Sequence, residues 1–292
     1  MGGQSGAACA YSTVRGGVVF LVARDATAAE EAYAPGWDAT KPHALYSGTK
    51  SFWGVLAVAA QDDGLLALDE PVAETIVAWR NDARKRAITL RMLLTLSAGF
   101  GFGGLGNAVP TFEAALAVEP RNEPGTTFTY GGIPLQVFGA VLARKLVGRN
   151  QTPHGYLHER LLDPLGVRIA SWRTLRDGSR PLPTGAFLSA PNWMRFGAFL
   201  LAQGRCGSHT LVRSESLALC FEPSPANPRY ALGFWLVPER NAAYASGAGG
   251  QGLYVLPKQR ILAVRFSSGA SFRHEVLVRR LAEDADAVDD AR

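Results

Sequence analysis

Strand-like apolar segments lie near both ends of this chain, with helical patterns between them, and this order constrains the fold more than any other feature. The strand-like segments are Gly17 to Arg24, Tyr230 to Val237, Gly252 to Leu256 and Ile261 to Ser267. The helical patterns are Ser47 to Gln61, Leu90 to Ser97, Ile133 to Leu146, Gly155 to Leu162 and Pro191 to Gln203. This order predicts an α/β (α+β) fold: one antiparallel sheet built from both chain ends and flanked by helices, with an inserted, mostly helical region.

The length of 292 residues corresponds to about two structural units of ~150 residues. We expect residues 1–70 and 185–292 to form a discontinuous α/β sheet region and residues 71–184 a helical region, with the active site between them. Pro257 to Arg260 separates two of the strand-like segments and predicts a hairpin turn. Residues 283–292 carry five acidic side chains and are expected to form a frayed, solvated end.

Charge and hydropathy exclude several partners. The net charge is +5, but only five of the 30 basic residues are lysines, and they are not interleaved with aromatic residues. We therefore predict no nucleic-acid interface. No apolar run approaches the ~18 residues that a membrane span needs, so no membrane partner is expected. The sequence leaves the oligomeric state open.

The cysteines and the first apolar segment bear on the compartment. Cys9, Cys206 and Cys220 are an odd number without C-x-x-C spacing, so a disulfide framework or zinc site is not expected. Cys206 and Cys220 could pair, but two separate thiols are the preferred interpretation. Gly17 to Ala23 would suit a signal peptide or a buried strand, and the charged pair Arg24 and Asp25 favours the strand. A cytoplasmic location is the resulting expectation.

Ser47 and Lys50 form an S-x-x-K tetrad at the start of an apolar helical pattern. Three residues on a helix make one turn, so the hydroxyl and the amine would lie on one face. A serine becomes nucleophilic when a base removes its proton, and lysine is a base only when neutral. Burial beside apolar residues and the positive helix end would both lower the pKa of Lys50. The Ser47 backbone N–H would face a developing oxyanion. The alternative interpretation is an N-cap serine followed by a surface lysine.

Other chemistries have weaker signals. Two G-x-G-x-x-G matches begin at Gly101 and Gly247, but the first enters a loop and the second a strand, which is unlike a nucleotide site. There is no G-x-S-x-G or H-E-x-x-H motif. The histidines, which form no recognisable ligand set, are His43, His154, His158, His209 and His274. No metal and no organic cofactor are predicted.

Several segments together resemble the serine β-lactamase and penicillin-binding superfamily. They include Leu45 to Phe52 around the S-x-x-K tetrad, Leu93 to Gly99, Pro124 to Tyr130, and Ala245 to Gln251 in the place of the third motif. They follow the family order from about Gly17 to Leu281. The subgroup most similar to this chain is that of class C-like esterases and 6-aminohexanoate-dimer hydrolases.

The resemblance implies a β-lactamase-like fold and specific roles. Ser47 would be the acylated nucleophile, Lys50 its activating partner, and Tyr130 a phenolate or proton shuttle to the leaving group. The Ala248 N–H would complete an oxyanion hole with Ser47, on an edge strand beside the helix. The residues that the resemblance adds to substrate binding are Ser246, Gly247 and Gly132. Trp53 and Trp172 would either line an acyl pocket or pack in the core.

Two departures from the family pattern concern substrate choice. The second motif, usually Y-x-N, is Tyr130-Gly131-Gly132, so an amide donor is missing. Ala245 stands where the family has lysine or histidine, so a cation for a β-lactam carboxylate is missing unless an arginine replaces it. We therefore expect a serine hydrolase that forms an acyl-enzyme on Ser47 and acts on small carboxylic esters or amides. A β-lactamase, a D-amino-acid peptidase and an inactive binding protein are the alternatives.

Overall fold

One antiparallel sheet joins the two ends of the chain in the computed structural model, which describes residues 6–25, 27–269 and 271–290. The strands are β1 (Gly17–Arg24), β2 (Thr27–Tyr33), β3 (His43–Ala44), β4 (Ser171–Trp172), β5 (Ala186–Leu188), β6 (Arg205–Cys206), β7 (His209–Thr210), β8 (Trp235–Val237), β9 (Ala242–Gly247), β10 (Gln251–Leu256) and β11 (Ile261–Ser267). The main sheet has the order β2-β1-β11-β10-β9-β8, with antiparallel neighbours. This confirms the predicted sheet.

The helices lie before, between and after these strands. They are α1 (Ala7–Val14), α2 (Lys50–Asp62), α3 (Val72–Thr75), α4 (Leu90–Leu94), α5 (Phe112–Leu116), α6 (Ile133–Lys145), α7 (Pro153–Leu157), α8 (Ala190–Leu201), α9 (Ser214–Ala218) and α10 (His274–Asp290). A 3-10 turn, Tyr46–Thr49, leads into α2, and a π-helical turn, His158–Leu162, continues α7. Helices cover both faces of the main sheet: α8 packs on one face, and α1 and α10 pack on the other.

The terminal strands pair as the hydrophobic pattern predicts. β1 lies beside β11, with Arg24 opposite Ile261. β10 and β11 form a hairpin around Pro257 to Arg260, which confirms the predicted turn. All seven residues of β11 are buried, because the strand lies inside the sheet with a helix layer on each face.

Three local features differ from what the hydropathy pattern predicted. The pattern did not reveal β2 or β9, and only the resemblance implied a strand at the third motif, because both strands are rich in alanine, and β2 also in glutamate, residues that disfavour strands until a partner strand is present. Within Tyr230 to Val237 the strand is confined to β8. The acidic end is helical through Asp290, since α10 buries apolar side chains on the sheet and Asp284 accepts hydrogen bonds from two N–H groups at the start of α1.

Between residues 71 and 184, β4 is the one strand of the described chain, and short helices make up most of the regular structure. β4 pairs with β5, which also pairs with β3, so this small sheet connects the helical segment to the turn that carries Ser47. The division into two regions remains our proposal. Cys206 and Cys220 are not joined by a disulfide. None of the helices in the described ranges combines the length and apolar character that crossing a membrane demands.

Candidate active site

Ser47 lies in the 3-10 turn that precedes α2, one helical turn before Lys50. Tyr46, immediately before it, has a left-handed backbone with φ of 48°, an uncommon conformation for a residue with a side chain. This conformation ends the extended segment that contains β3 and begins the helical turn. Lys50 Nζ lies 3.0 Å from Ser47 Oγ. The S-x-x-K tetrad therefore brings the amine into hydrogen-bond contact with the hydroxyl.

Lys50 is almost entirely shielded from water, with 1% of its surface exposed. Its Nζ also donates to Pro183 O at 3.1 Å and lies 4.8 Å from the centre of the Tyr130 ring. No acidic side chain of the described chain pairs with it, and burial lowers the pKa of Lys50 from 10.5 to about 7. An amine with this pKa is largely neutral in mildly alkaline solution and can accept the Ser47 proton.

Tyr130 comes from the other side of the site, just before α6, and its hydroxyl hydrogen-bonds with Ser47. Its ring stacks on Trp235 at 5.9 Å between centroids. Burial raises the pKa of Tyr130, and the hydrogen bond with Ser47 opposes this shift only in part. The side chain is therefore a phenol at neutral pH, which favours the proton-shuttle alternative over the phenolate.

The third motif lies on β9, directly against the nucleophile turn. β8 pairs with β9 only as far as Tyr244, so the end of β9 is a free edge. A Cβ atom on Gly247 would lie 2.1 Å from Leu45 O, so only glycine permits this approach. Gln251 fixes the following turn by donating to Ala248 O at 3.2 Å and to Ser267 O at 3.0 Å.

The backbone N–H groups of Ser47 and Ala248 are the candidate oxyanion hole. Within residues 6–25, 27–269 and 271–290, neither N–H has a hydrogen-bond acceptor of its own. Both residues border one cavity of about 510 Å³. Two N–H groups without acceptors beside one cavity make this pair the candidate for stabilising a tetrahedral oxyanion.

The cavity brings together most of the predicted site. Its predicted lining residues are Ser47, Tyr130, Ser246, Gly247 and Ala248. The lining residues that sequence reasoning missed are Tyr46, Leu105, Gly106, Thr184, Trp235, Tyr244, His274 and Glu275. His274 and Glu275 begin α10, and no local motif marks them. A larger groove of about 700 Å³ lies between α8 and the β1 side of the sheet, and it does not contain Ser47.

The structure does not place Trp53 and Trp172 at the cavity. Trp53 has no exposed surface and Trp172 is 9% exposed. Both pack edge-on against His154, at 4.9 and 4.6 Å, and Trp172 Nε1 donates to Pro181 O at 2.9 Å. Because α2 is buried from Lys50 to Ala60, a large side chain one turn beyond Lys50 lies in the core. The packing of these two tryptophans favours the core alternative over the acyl pocket.

Gly132 is also absent from the cavity lining, and its surroundings explain the missing asparagine. Its N–H donates to Gly103 O at 2.9 Å, and a Cβ atom would lie 1.9 Å from Gly104 O. The backbone of the 103–104 loop thus occupies the space that a side chain would need. An asparagine side chain at position 132 would therefore clash with this loop.

Ala245 has no exposed surface and points into the core, while the next residue, Ser246, faces the cavity. Successive side chains point to opposite faces of a strand, so the side chain that can contact a bound substrate is that of Ser246 and not that of Ala245. No arginine lines the described cavity, and Glu275 is the charged residue there. The missing cation is therefore not replaced by an arginine among these lining residues.

Residues 7–287 match the family model described as Beta-lactamase. The chain belongs to the beta-lactamase family. The lovastatin esterase of Penicillium rubens is 30% identical over 154 residues, which are 42% of this chain and 37% of that protein. The chain thus matches little more than a third of that relative's length.

Solved structures share the beta-lactamase fold across nearly the whole chain. A putative beta-lactamase from Bacteroides dorei has a TM-score of 0.80 at 18% identity, covering 93% of this chain and 94% of that one. A putative 6-aminohexanoate-dimer hydrolase from Bacillus anthracis has a TM-score of 0.79 at 17% identity, covering 95% and 81%. The beta-lactamase-like fold is confirmed, and the chain is a serine hydrolase of this family. No cluster of side chains suited to a metal ion occurs among the described residues.

Proposed function

We propose that this protein hydrolyses small carboxylic esters, with small amides as a second class, through an acyl-enzyme on Ser47. The observation that carries the proposal is the contact of Ser47 Oγ with a buried, readily neutral Lys50, next to a cavity whose described lining contains no lysine or arginine to hold a carboxylate. The site thus combines an activated hydroxyl with a binding surface whose charged lining residue, Glu275, is acidic.

In acylation, the neutral Lys50 amine accepts the Ser47 proton while Oγ attacks the substrate carbonyl carbon. The oxyanion that forms is held by the N–H groups of Ser47 and Ala248. As the bond to the leaving group breaks, the Tyr130 phenol donates its proton to the departing oxygen or nitrogen and regains one from Lys50. The proton of Ser47 thereby ends on the leaving group.

In deacylation, a water molecule attacks the acyl carbonyl and the same groups run in the opposite direction. Lys50 and Tyr130 together accept a proton from water, and Ser47 Oγ leaves as a hydroxyl after taking that proton back. The products are a carboxylic acid and the free enzyme. Water is thus the second substrate of the reaction.

The binding surface favours esters over β-lactams. A penicillin presents a side-chain amide and a carboxylate, which need a donor and a cation. Gly132 has no side chain and is covered by loop backbone, and Glu275 would repel the carboxylate. Each poorly paired buried polar group costs about 1–3 kcal/mol, so two reduce kcat/KM by roughly a hundredfold or more. The esterase name of the Penicillium rubens relative supports the same choice.

The proposal is tested by measuring kcat/KM for p-nitrophenyl butyrate, the corresponding anilide and nitrocefin on the wild type and on Ser47→Ala. We expect the ester to be preferred over nitrocefin by about a hundredfold, and Ser47→Ala to retain less than about a tenth of the ester activity. Comparable efficiencies for nitrocefin and the ester would favour the β-lactamase alternative. Absence of turnover and of fluorophosphonate labelling would favour a binding protein.

A further inference from the structure

Three hydrogen-bonded side chains lie at or directly behind the cavity wall that β9 and α10 form. Ser246 Oγ lies 3.0 Å from His274 Nε2, and His274 Nδ1 lies 2.7 Å from the Tyr254 hydroxyl. Ser246 and His274 line the cavity, whereas Tyr254 is fully buried on β10 behind them. The mechanism proposed above uses none of these three side chains, although two of them line the cavity.

The hydrogen-bond balance at Tyr254 fixes the direction of this chain. Within the described parts of the molecule, His274 is the one hydrogen-bond partner of the buried Tyr254 hydroxyl. A buried hydroxyl whose proton has no acceptor is unfavourable, so Tyr254 donates to Nδ1. Nε2 then carries the imidazole proton and donates to Ser246 Oγ. The hydrogen of the Ser246 hydroxyl is therefore free to point into the cavity.

The surroundings of His274 keep it neutral. Its ring is stacked on Tyr244 at 4.8 Å and contacts Phe272 edge-on at 5.1 Å. Burial lowers the pKa of His274 to about 4, so above that pH the ring has one proton and the hydrogen-bond order holds. The adjacent Glu275 carboxylate accepts from the Tyr244 hydroxyl at 2.9 Å and adds negative charge to the cavity rim.

We propose that Ser246 binds an uncharged oxygen acceptor of the substrate, with His274 and Tyr254 as positioning residues that direct its hydrogen into the cavity. This inference rests on the proposed ester hydrolysis and narrows its substrate class. The preferred esters carry an ether, hydroxyl or carbonyl oxygen near the scissile bond and no carboxylate. The oxygen belongs to the acyl part or to the alcohol part, and the test separates these two sources.

The test uses two pairs of esters with equal numbers of heavy atoms. p-Nitrophenyl 3-methoxypropanoate is compared with p-nitrophenyl pentanoate for the acyl part, and 2-methoxyethyl acetate with butyl acetate for the alcohol part. In the pair whose ether oxygen reaches Ser246, kcat/KM of the wild type should be roughly three- to tenfold higher for the ether than for its partner, after correction for the hydroxide-catalysed rates of the two esters. The pair that shows this difference identifies the part of the substrate that carries the oxygen. Equal corrected values in both pairs would overturn the binding role of Ser246.

Three variants then examine the chain of hydrogen bonds. Ser246→Ala should abolish the ether preference. Tyr254→Phe should abolish it too, because His274 Nδ1 can then take the proton and Nε2 would accept the Ser246 hydrogen. Tyr156→Phe is the control: it removes from a buried tyrosine the hydroxyl that bonds to Asp63, directly after α2 and away from the cavity lining, and it should keep the preference. Retention of the preference in Tyr254→Phe would overturn the positioning role.

Nitrogen NMR of the His274 ring in the wild type supplies a readout that does not depend on activity. We expect the neutral ring to be protonated at Nε2, and protonation at Nδ1 would contradict the inferred direction. If the wild type hydrolyses none of the four esters, the proposed function fails. The tautomer measurement would still decide the hydrogen-bond direction on which this inference depends.

Discussion

Lys50 at the start of α2 and Arg265 in the middle of β11 are both shielded from water, with 1% and 0% of their surfaces exposed. Arg265 donates to Ser12 Oγ, to the carbonyls of Ser12 and Arg15 across from it, and to Gly250 O at 2.5 Å. Its guanidinium also lies 3.8 Å from the centre of the Phe272 ring. Lys50, in contrast, has one carbonyl and the Ser47 hydroxyl.

The difference shows how the same fold keeps one buried cation and neutralises another. Burial lowers the pKa of Arg265 as well, but a guanidinium starts so high that it stays protonated, and several acceptors compensate its charge. The Lys50 amine lacks such compensation, so its pKa falls to about 7. We therefore assign a structural role to Arg265, which holds the turn after β9, and a chemical role to Lys50.

Replacing Lys50 should have the largest effect on activity. Lys50→Arg should reduce kcat/KM for p-nitrophenyl butyrate by about 10²- to 10⁴-fold, because a guanidinium cannot accept the Ser47 proton. Lys258→Arg, on the exposed turn between β10 and β11, is the matched control and should behave as the wild type. Near-normal turnover in Lys50→Arg would remove the amine from the mechanism.

Lys50→Met should be equally inactive but more stable than the wild type. The pKa of Lys50 is about 7 in the folded state and 10.5 ordinarily, so between these two pH values the unfolded state binds more protons than the folded state. Lys50 therefore lowers the free energy of unfolding in this pH range, and it does so fully below pH 7. We expect a gain of about 1–4 kcal/mol in the free energy of unfolding at pH 7, shrinking as the pH rises toward 10.5. Urea denaturation at several pH values measures this gain. A lower free energy of unfolding in Lys50→Met would show that hydrogen bonds in the folded state offset the cost of burying the Lys50 amine.

Arg265→Met should destabilise the protein by about 3 kcal/mol or more, because carbonyl groups of α1 and of the turn after β9 lose their buried donor. Arg260→Met is the control on the same hairpin: Arg260 is exposed and pairs with Asp25, so its loss should cost less than about 1 kcal/mol. Urea denaturation of both variants tests the contrast. If both variants lost the same free energy of unfolding, the buried contacts of Arg265 would contribute no more stability than an exposed ion pair.

Gly247→Ala should reduce kcat/KM for p-nitrophenyl butyrate by roughly ten- to a hundredfold. The added Cβ would lie 2.1 Å from Leu45 O, so β9 must move away from the nucleophile turn and carry the Ala248 N–H with it. Gly148→Ala is the control, since apart from its own stretch of backbone no atom of the described residues lies within 4 Å of its Cβ position. An unimpaired Gly247→Ala enzyme would show that the oxyanion donors tolerate this displacement.

The sequence predicted the contact of Lys50 with Ser47, but it gave no sign of the contacts of Arg265. It did predict the bounds of β1 and of β11, which carries Arg265, because continuous apolar runs bounded by turn residues mark buried strands. The S-x-x-K spacing placed Lys50 beside Ser47, since one helical turn is a local constraint. A motif held within four residues needs no knowledge of the rest of the chain.

Contacts between distant segments were not predictable in this way. His274 lies 28 residues after Ser246, and only the packing of α10 on the sheet brings them together. Trp53 was ambiguous because an apolar helix gives no sign of which large side chain meets a cavity. β9 is an alanine-rich strand that forms because β10 pairs with it.

The pH dependence of fluorophosphonate labelling, with the modified residue identified by mass spectrometry, tests whether neutral Lys50 activates Ser47. We expect one adduct, on Ser47. Its rate constant should rise about tenfold per pH unit below about 7 and level off above it, as the neutral fraction of Lys50 does. A rate independent of pH from about 5 to about 9, after correction for the reagent, or an adduct on another residue, would contradict this activation of Ser47 by Lys50.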